Sequence, residues 1–143
     1  MSLSAIRQGL ATNLRSIPET QVSPYIITPT PPTIWVATIQ IEFDKAFGSR
    51  AAGARYTDQY TATIQAMVDF TEPQRGQELL DQYMAGSGSY SVKDAIEADT
   101  TLAGACDTLW VGDTTGPSLN TFQTLSLLLS EWTVTILATE VAL

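Results

Sequence analysis

The stretch that decides the fold is Thr33–Phe70, TIWVATIQIEFDKAFGSRAAGARYTDQYTATIQAMVDF. Its second half alternates. Tyr56, Tyr60, Ala62, Ile64, Ala66, Val68 and Phe70 share one parity, while Thr57, Gln59, Thr61, Thr63, Gln65 and Asp69 share the other. Only Asp58 and Met67 break the pattern. A period of two is the signature of a half-buried strand, and fifteen residues from Tyr56 to Phe70 is far longer than the usual strand of about five or six. The first half alternates toward its end, with Ile39, Ile41 and Phe43 facing one way and Gln40, Glu42 and Asp44 the other. Its beginning, Ile34–Ala37, is apolar on both parities, so both sides there need a cover. Between the halves, KAFGSRAAGAR (45–55) has glycines, alanines and cations but no periodicity, which reads as a mobile loop. The two halves therefore make a long antiparallel ribbon with a cationic tip, and a ribbon that overhangs its own domain needs something to touch.

Working outward on the N-terminal side, Leu3, Ile6, Leu10, Leu14 and Ile17 recur every three or four residues and predict a helix opened by Ser2 or Ser4 and stopped by Pro18. From Pro18 to Pro32 five prolines hold the chain extended and largely outside sheet ladders. On the C-terminal side, Thr71-Glu72-Pro73-Gln74 resembles a capping box with proline at the first helical position, and Leu79, Leu80, Tyr83 and Met84 give that helix an apolar face before Gly86. Ser91 caps a second short helix through Asp99, with Val92, Ala95 and Ile96 inward. Cys106–Gly112 predicts a short strand, Asp113–Pro117 (DTTGP) a turn, and Thr121–Val141 a last strand. In that last strand the apolar residues are odd at Leu125, Leu127 and Leu129 but even at Trp132, Val134, Ile136 and Ala138, which predicts a β-bulge near Ser130 or Glu131. The order helix, two strands, two helices, two strands makes residues 1–143 a single α+β domain. Its mostly antiparallel sheet of about four strands carries helices on one face.

Composition narrows the chemistry. The chain has 143 residues, 15 acidic against 7 basic for a formal charge of −8, and no histidine. The charge argues against a surface built to grip nucleic acid. The missing histidine removes the usual general base near neutral pH and the commonest metal ligand. Cys106 is alone, so no intrachain disulfide exists and a buried structural thiol is expected. The glycines of Gly86-Ser87-Gly88 follow a helix, whereas a phosphate loop must follow a strand and open one. The carboxylates of the two middle helices read as solvated faces, although a hydrolase working through two of them stays an alternative if a concave pocket holds a perturbed pair. No catalytic, cofactor or metal residue is expected. Neither a leader nor a run of about 20 apolar residues is present, so the chain is expected to stay in a cytoplasm or in something assembled there, away from membranes. With 44% hydrophobic and 15% charged residues, against about 25% charged in ordinary domains, part of the surface is expected to be covered by partners.

Trp35, Trp110 and Trp132 fall on predicted strands, and Trp35, flanked by Ile34 and Val36, is the best interface aromatic. Lys45, Arg50 and Arg55 form the one local basic patch, suited to acidic surface on a neighbouring copy. With Phe47 in the same loop and Leu127 and Leu129 in the unusually apolar segment Ser118–Ser130, they complete the candidate subunit interface. That segment is expected to lie against a neighbouring subunit or the first helix.

The run GSGSYSVKDAIEAD (86–99), followed by Thr101-Leu102-Ala103-Gly104 and Leu109-Trp110-Val111, resembles the central segment of tail terminator or tail completion proteins of long-tailed bacteriophages. The opening SLSAIRQGLATNLRSIP, the passage with Pro29, Pro31 and Pro32, the strand ending Phe43-Asp44 and the last strand with Glu131-Trp132-Thr133-Val134 agree in order. The resemblance implies a non-enzymatic virion component, assembled in the host bacterial cytoplasm and placed at the head-proximal end of the tail. It implies a homo-oligomer, a ring of six, that caps the tail tube protein, halts tube growth and docks the head-completion or connector proteins. DNA would pass through its channel without specific binding, repelled by an acidic wall. A head-closure protein or tube subunit of related fold is the alternative.

Overall fold

A computed structural model describes residues 3–46, 55–122 and 124–141, with the backbone path alone at 44–46 and 140–141. In chain order the elements are α1 (Leu3–Leu14), β1 (Gln21–Ser23), β2 (Thr33–Ala46), β3 (Arg55–Asp69), α2 (Pro73–Met84), α3 (Val92–Glu97), β4 (Thr108–Phe122) and β5 (Leu125–Val141). The strands form one sheet in the order β1-β2-β3-β5-β4, antiparallel throughout except for the β1–β2 pair. The class is α+β with a mostly antiparallel sheet, as the alternation predicts. The strand count is corrected from four to five. Inside the proline-rich connector Gln21, Val22 and Ser23 pair in parallel with Thr33, Ile34 and Trp35, because the prolines at 18, 24, 29, 31 and 32 leave those three residues free to donate.

One core joins the helices to the sheet. Ile6, Leu10 and Leu14 of α1, Leu80 and Tyr83 of α2, and Val92 and Ile96 of α3 are fully buried against Ile34, Val36, Ile64, Trp132, Val134 and Ile136. The helix signals mostly hold. Ser91 accepts a hydrogen bond from the Asp94 amide (3.1 Å) and opens α3, which stops at Glu97 rather than Asp99. The expected capping box does not form: α2 starts at Pro73 behind Glu72 with no side-chain cap. Thr71 is turned back instead, its amide and hydroxyl both donating to Asp69 Oδ1 at 3.0 and 2.7 Å.

The last two strands differ most from expectation. β5 pairs with β3 without a break from Arg55↔Val141 to Asp69↔Leu127, so it carries no bulge. The even residues Leu128, Ser130, Trp132, Val134, Ile136 and Ala138 face the core, and Leu127 and Leu129 face the other side, where a second apolar cluster receives them. A change of parity there means two greasy faces, not a slip. The register shifts lie elsewhere, in β2 between Val36 and Ile39 and between Glu42 and Ala46, and in β4 at Val111/Asp113 and Thr115/Ser118. DTTGP is therefore strand: β4 runs through it, and the chain reverses only between Phe122 and Leu125. Gly116 sits at φ +139° with Ser130 Oγ only 2.4 Å from where a Cβ would stand. The glycine and proline that imitate a turn mark a bulge on an edge strand.

Among the described residues no helix is long and apolar enough to cross a membrane.

Candidate assembly surfaces

Helices cover one sheet face and leave the other without any. The bare face is built from the odd residues of β3 and β5: Thr57, Gln59, Thr61, Thr63, Gln65 and Met67 beside Thr139, Leu137, Thr135, Thr133, Glu131 and Leu129. The polar side chains among them are mostly half-buried by one another and bonded sideways. Thr57 and Thr139 share a hydroxyl hydrogen bond of 2.7 Å. Trp35 Nε1 donates to Gln65 Oε1 (2.8 Å) and Gln65 Nε2 to Glu131 Oε1 (3.1 Å), a polar chain across β2, β3 and β5.

At one end of this face lies the second apolar cluster, Trp35, Ala37, Met67 and Leu127, with Phe122 and Leu129 packed at its margin. The Trp35 and Phe122 rings meet at a centroid distance of 6.2 Å and a tilt of 60°. Three of the sequence-predicted interface residues, Trp35, Leu127 and Leu129, are thus brought together. The contact is one that the chain makes with itself: Trp35 is 3% exposed and Leu127 2%, and what faces outward is the rim. Leu125, of the same parity as Leu127, is 43% exposed, and Leu119, paired with the core-facing Leu128, is 60% exposed on the hairpin's other face.

Of the other predicted residues, Arg55 and the backbone of Lys45 lie at the opposite end of the sheet. Arg55 is exposed at the start of β3. Lys45 belongs to β2, with its side chain outside the described residues, and Phe47 and Arg50 fall outside them entirely. The candidate interface therefore divides in two, an apolar end and a cationic end.

The Ser118–Ser130 segment becomes the β4–β5 hairpin. It does not pack on α1, which rests instead on β1, β2 and α3, so that part of the expectation is corrected. From Thr115 to Thr121 every side chain of β4 is exposed. β4 is also the sheet's outer edge, and an edge strand carries a row of backbone donors and acceptors suited to another strand. The edge is closed at one point, where the Val111 amide donates to Glu97 Oε2 of α3 at 2.9 Å. Sequence reasoning missed the length of this edge because DTTGP read as its end.

The chemical candidates are quiet. Cys106 is buried, its thiol contacts the Thr100 carbonyl at 3.4 Å, and burial with the nearby charges of Asp107 and Asp99 pushes its pKa up to about 11. Asp69 and Asp99 each sit below the ordinary aspartate value because Thr71 and Thr101 respectively donate to them. Among the described residues no three His, Cys, Asp or Glu side chains stand close enough to hold a metal ion.

Compared with known proteins, the chain matches no family model and no curated protein.

Proposed function

We propose that the chain is a structural subunit of a phage tail, of the tail-terminator kind: copies close into a ring, six in number, at the head-proximal end of the tail tube. The ring stops tube growth and presents a docking face to the head-completion proteins, while DNA passes through without specific binding. The role asks for no catalysis and no cofactor. The observation that carries this reading is the outer strand β4, which pairs with no strand on its far edge from Gly112 to Phe122 and whose hairpin with β5 exposes Leu119 and Leu125 at its tip. A long, partly apolar edge, interrupted at the Val111/Asp113 and Thr115/Ser118 bulges and at Pro117, is still a hazard for a free monomer. Heterologous pairing of such an edge with a different surface of the next copy leaves no free end once the circle closes. The resemblance in residues 86–111 supplies the tail context, and the charge of −8 suits a channel that must not hold phosphates.

The test is electron microscopy of particles assembled without this chain. Overlong tails lacking heads are the expected result, and normal-length tails joined to heads overturn the reading. Purified chain that stacks into long tubes by itself would instead identify a tube subunit.

A further inference from the structure

Away from the bare face, a groove of about 590 Å³ runs between α2 and the proline-rich connector. That is the size of sites that take a small ligand or a few residues of peptide. Its floor is apolar and aromatic, with Leu79, Tyr83 and Tyr90 opposite Pro31 and Pro32. The floor is also fixed: the Tyr83 and Thr20 hydroxyls share a 2.7 Å hydrogen bond that ties helix to connector, and the Tyr83 and Tyr90 rings meet at 6.4 Å. The rim is anionic. Glu19, Asp69, Glu72 and Glu78 border the groove, and the single guanidinium there, Arg75, is already 3.7 Å from Glu72.

An apolar floor under an anionic rim fits a short cationic segment carrying an aromatic residue. This chain contains one. Residues 45–55 hold Lys45, Arg50 and Arg55, three of its seven cations, together with Phe47. The same molecule cannot supply it. Asp69 at the groove and Arg55 are the two ends of β3, separated by about 45 Å of strand at ~3.3 Å per residue. The eight residues between Ala46 and Arg55, going out and back, reach about 14 Å.

We propose that the groove receives the 45–55 segment of a neighbouring copy, its cations against Glu19, Glu72 and Glu78. This names a contact for the self-association proposed above and rests on it. Donor and acceptor stand at opposite ends of one subunit, so the contact is heterologous and directional, as a closed ring requires. It also brings cations to the acidic surface of copies that otherwise repel.

The experiment is titration of a synthetic peptide of residues 44–56 into the isotopically labelled full chain, read by amide shifts. The expected result is movement confined to the connector and residues 69–90, with affinity about tenfold weaker in a Glu72→Lys/Glu78→Lys variant and falling with salt. Both positions are exposed, and an unchanged circular dichroism spectrum verifies that the variant folds. Light scattering gives the second arm: the double variant associates less than the wild type, and mixing it with Arg50→Glu/Arg55→Glu chain restores association. Amides of α2 that stay still at millimolar peptide overturn the groove contact, as does a double variant that forms normal rings, and in both cases self-association stands. A chain that binds peptide in the groove yet stays single even on tail tubes overturns the self-association, and this contact with it.

Discussion

The two faces of the sheet are made of the same strands and solve different problems. On the helix side Ile64, Trp132, Val134 and Ile136 are sealed under three helices. On the other side threonines and glutamines of the same strands cover one another, and only a small island around Trp35 is dry. A strand gives each face every second residue, so one sequence writes two surfaces at once. What distinguishes them is what lies above: three helices in one case and, among the described residues, none in the other.

Truncation should separate the faces. Trp132→Ala, at 2% exposure beneath the helices, is expected to cost about 3–5 kcal/mol, read as a lowered midpoint in urea unfolding. Leu127→Ala removes an equally buried side chain from the island, where fewer neighbours surround it. Its expected cost is about 2 kcal/mol, at the low end for such a change. Equal losses for the two would break the comparison, since they would make the island a second core.

The smallest effect belongs to the seam between the faces. Burial raises the Glu97 pKa, but the Lys93 hydrogen bond, the Val111 amide and the Lys93 charge outweigh it and hold the carboxyl below its ordinary value of 4.5. A group whose folded value is depressed stabilises the fold above its unfolded value, and that contribution is lost as pH falls through the folded one. Glu97→Gln is therefore expected to cost about 1 kcal/mol near neutral pH, discounted because the side chain is partly exposed. It should also flatten the acid limb of the stability profile below about pH 4.5, leaving the share of Asp69 and Asp99, whose values are lowered in the same direction. A variant with the wild-type acid limb would show that α3 does not hold β4 through this carboxylate.

Much of this was legible in the sequence because period speaks plainly where only one face is apolar. The β3 alternation, the α1 stripe and the Ser91 cap all read correctly. Periodicity failed where both faces carry apolar residues. Leu125, Leu127 and Leu129 looked like a register slip, when Leu127 and Leu129 belong to the island with Trp35 and Met67 and Leu125 lies exposed beside it. Composition failed where Gly116-Pro117 serves a bulge instead of a turn, since both uses ask for the same two residues. The short β1 hid among prolines for a related reason: three pairing residues are too few to show a period. Of the candidate interface residues, Trp35 and Leu127 are buried within the chain itself, which its sequence does not show because burial inside a fold and burial against a copy ask for the same apolar residues. The groove beside α2 left no sequence signal, because its walls come from the connector, β3 and α2, segments up to seventy residues apart.

Arg7 ties the first helix to the bulge in β2. Its guanidinium donates to the carbonyls of Val36 and Ala37 at 2.9 and 3.0 Å and to that of Pro24 at 3.0 Å, while lying 5.2 Å from the centre of the Tyr25 ring. Successive carbonyls of a regular strand point opposite ways, so only the β2 bulge lets one side chain clasp both. The clasp acts as a doorstop on that margin of the sheet. With both carbonyls occupied, the ladder that β1 begins at Thr33–Trp35 goes no further along that margin of β2: one side chain fixes where the pairing stops.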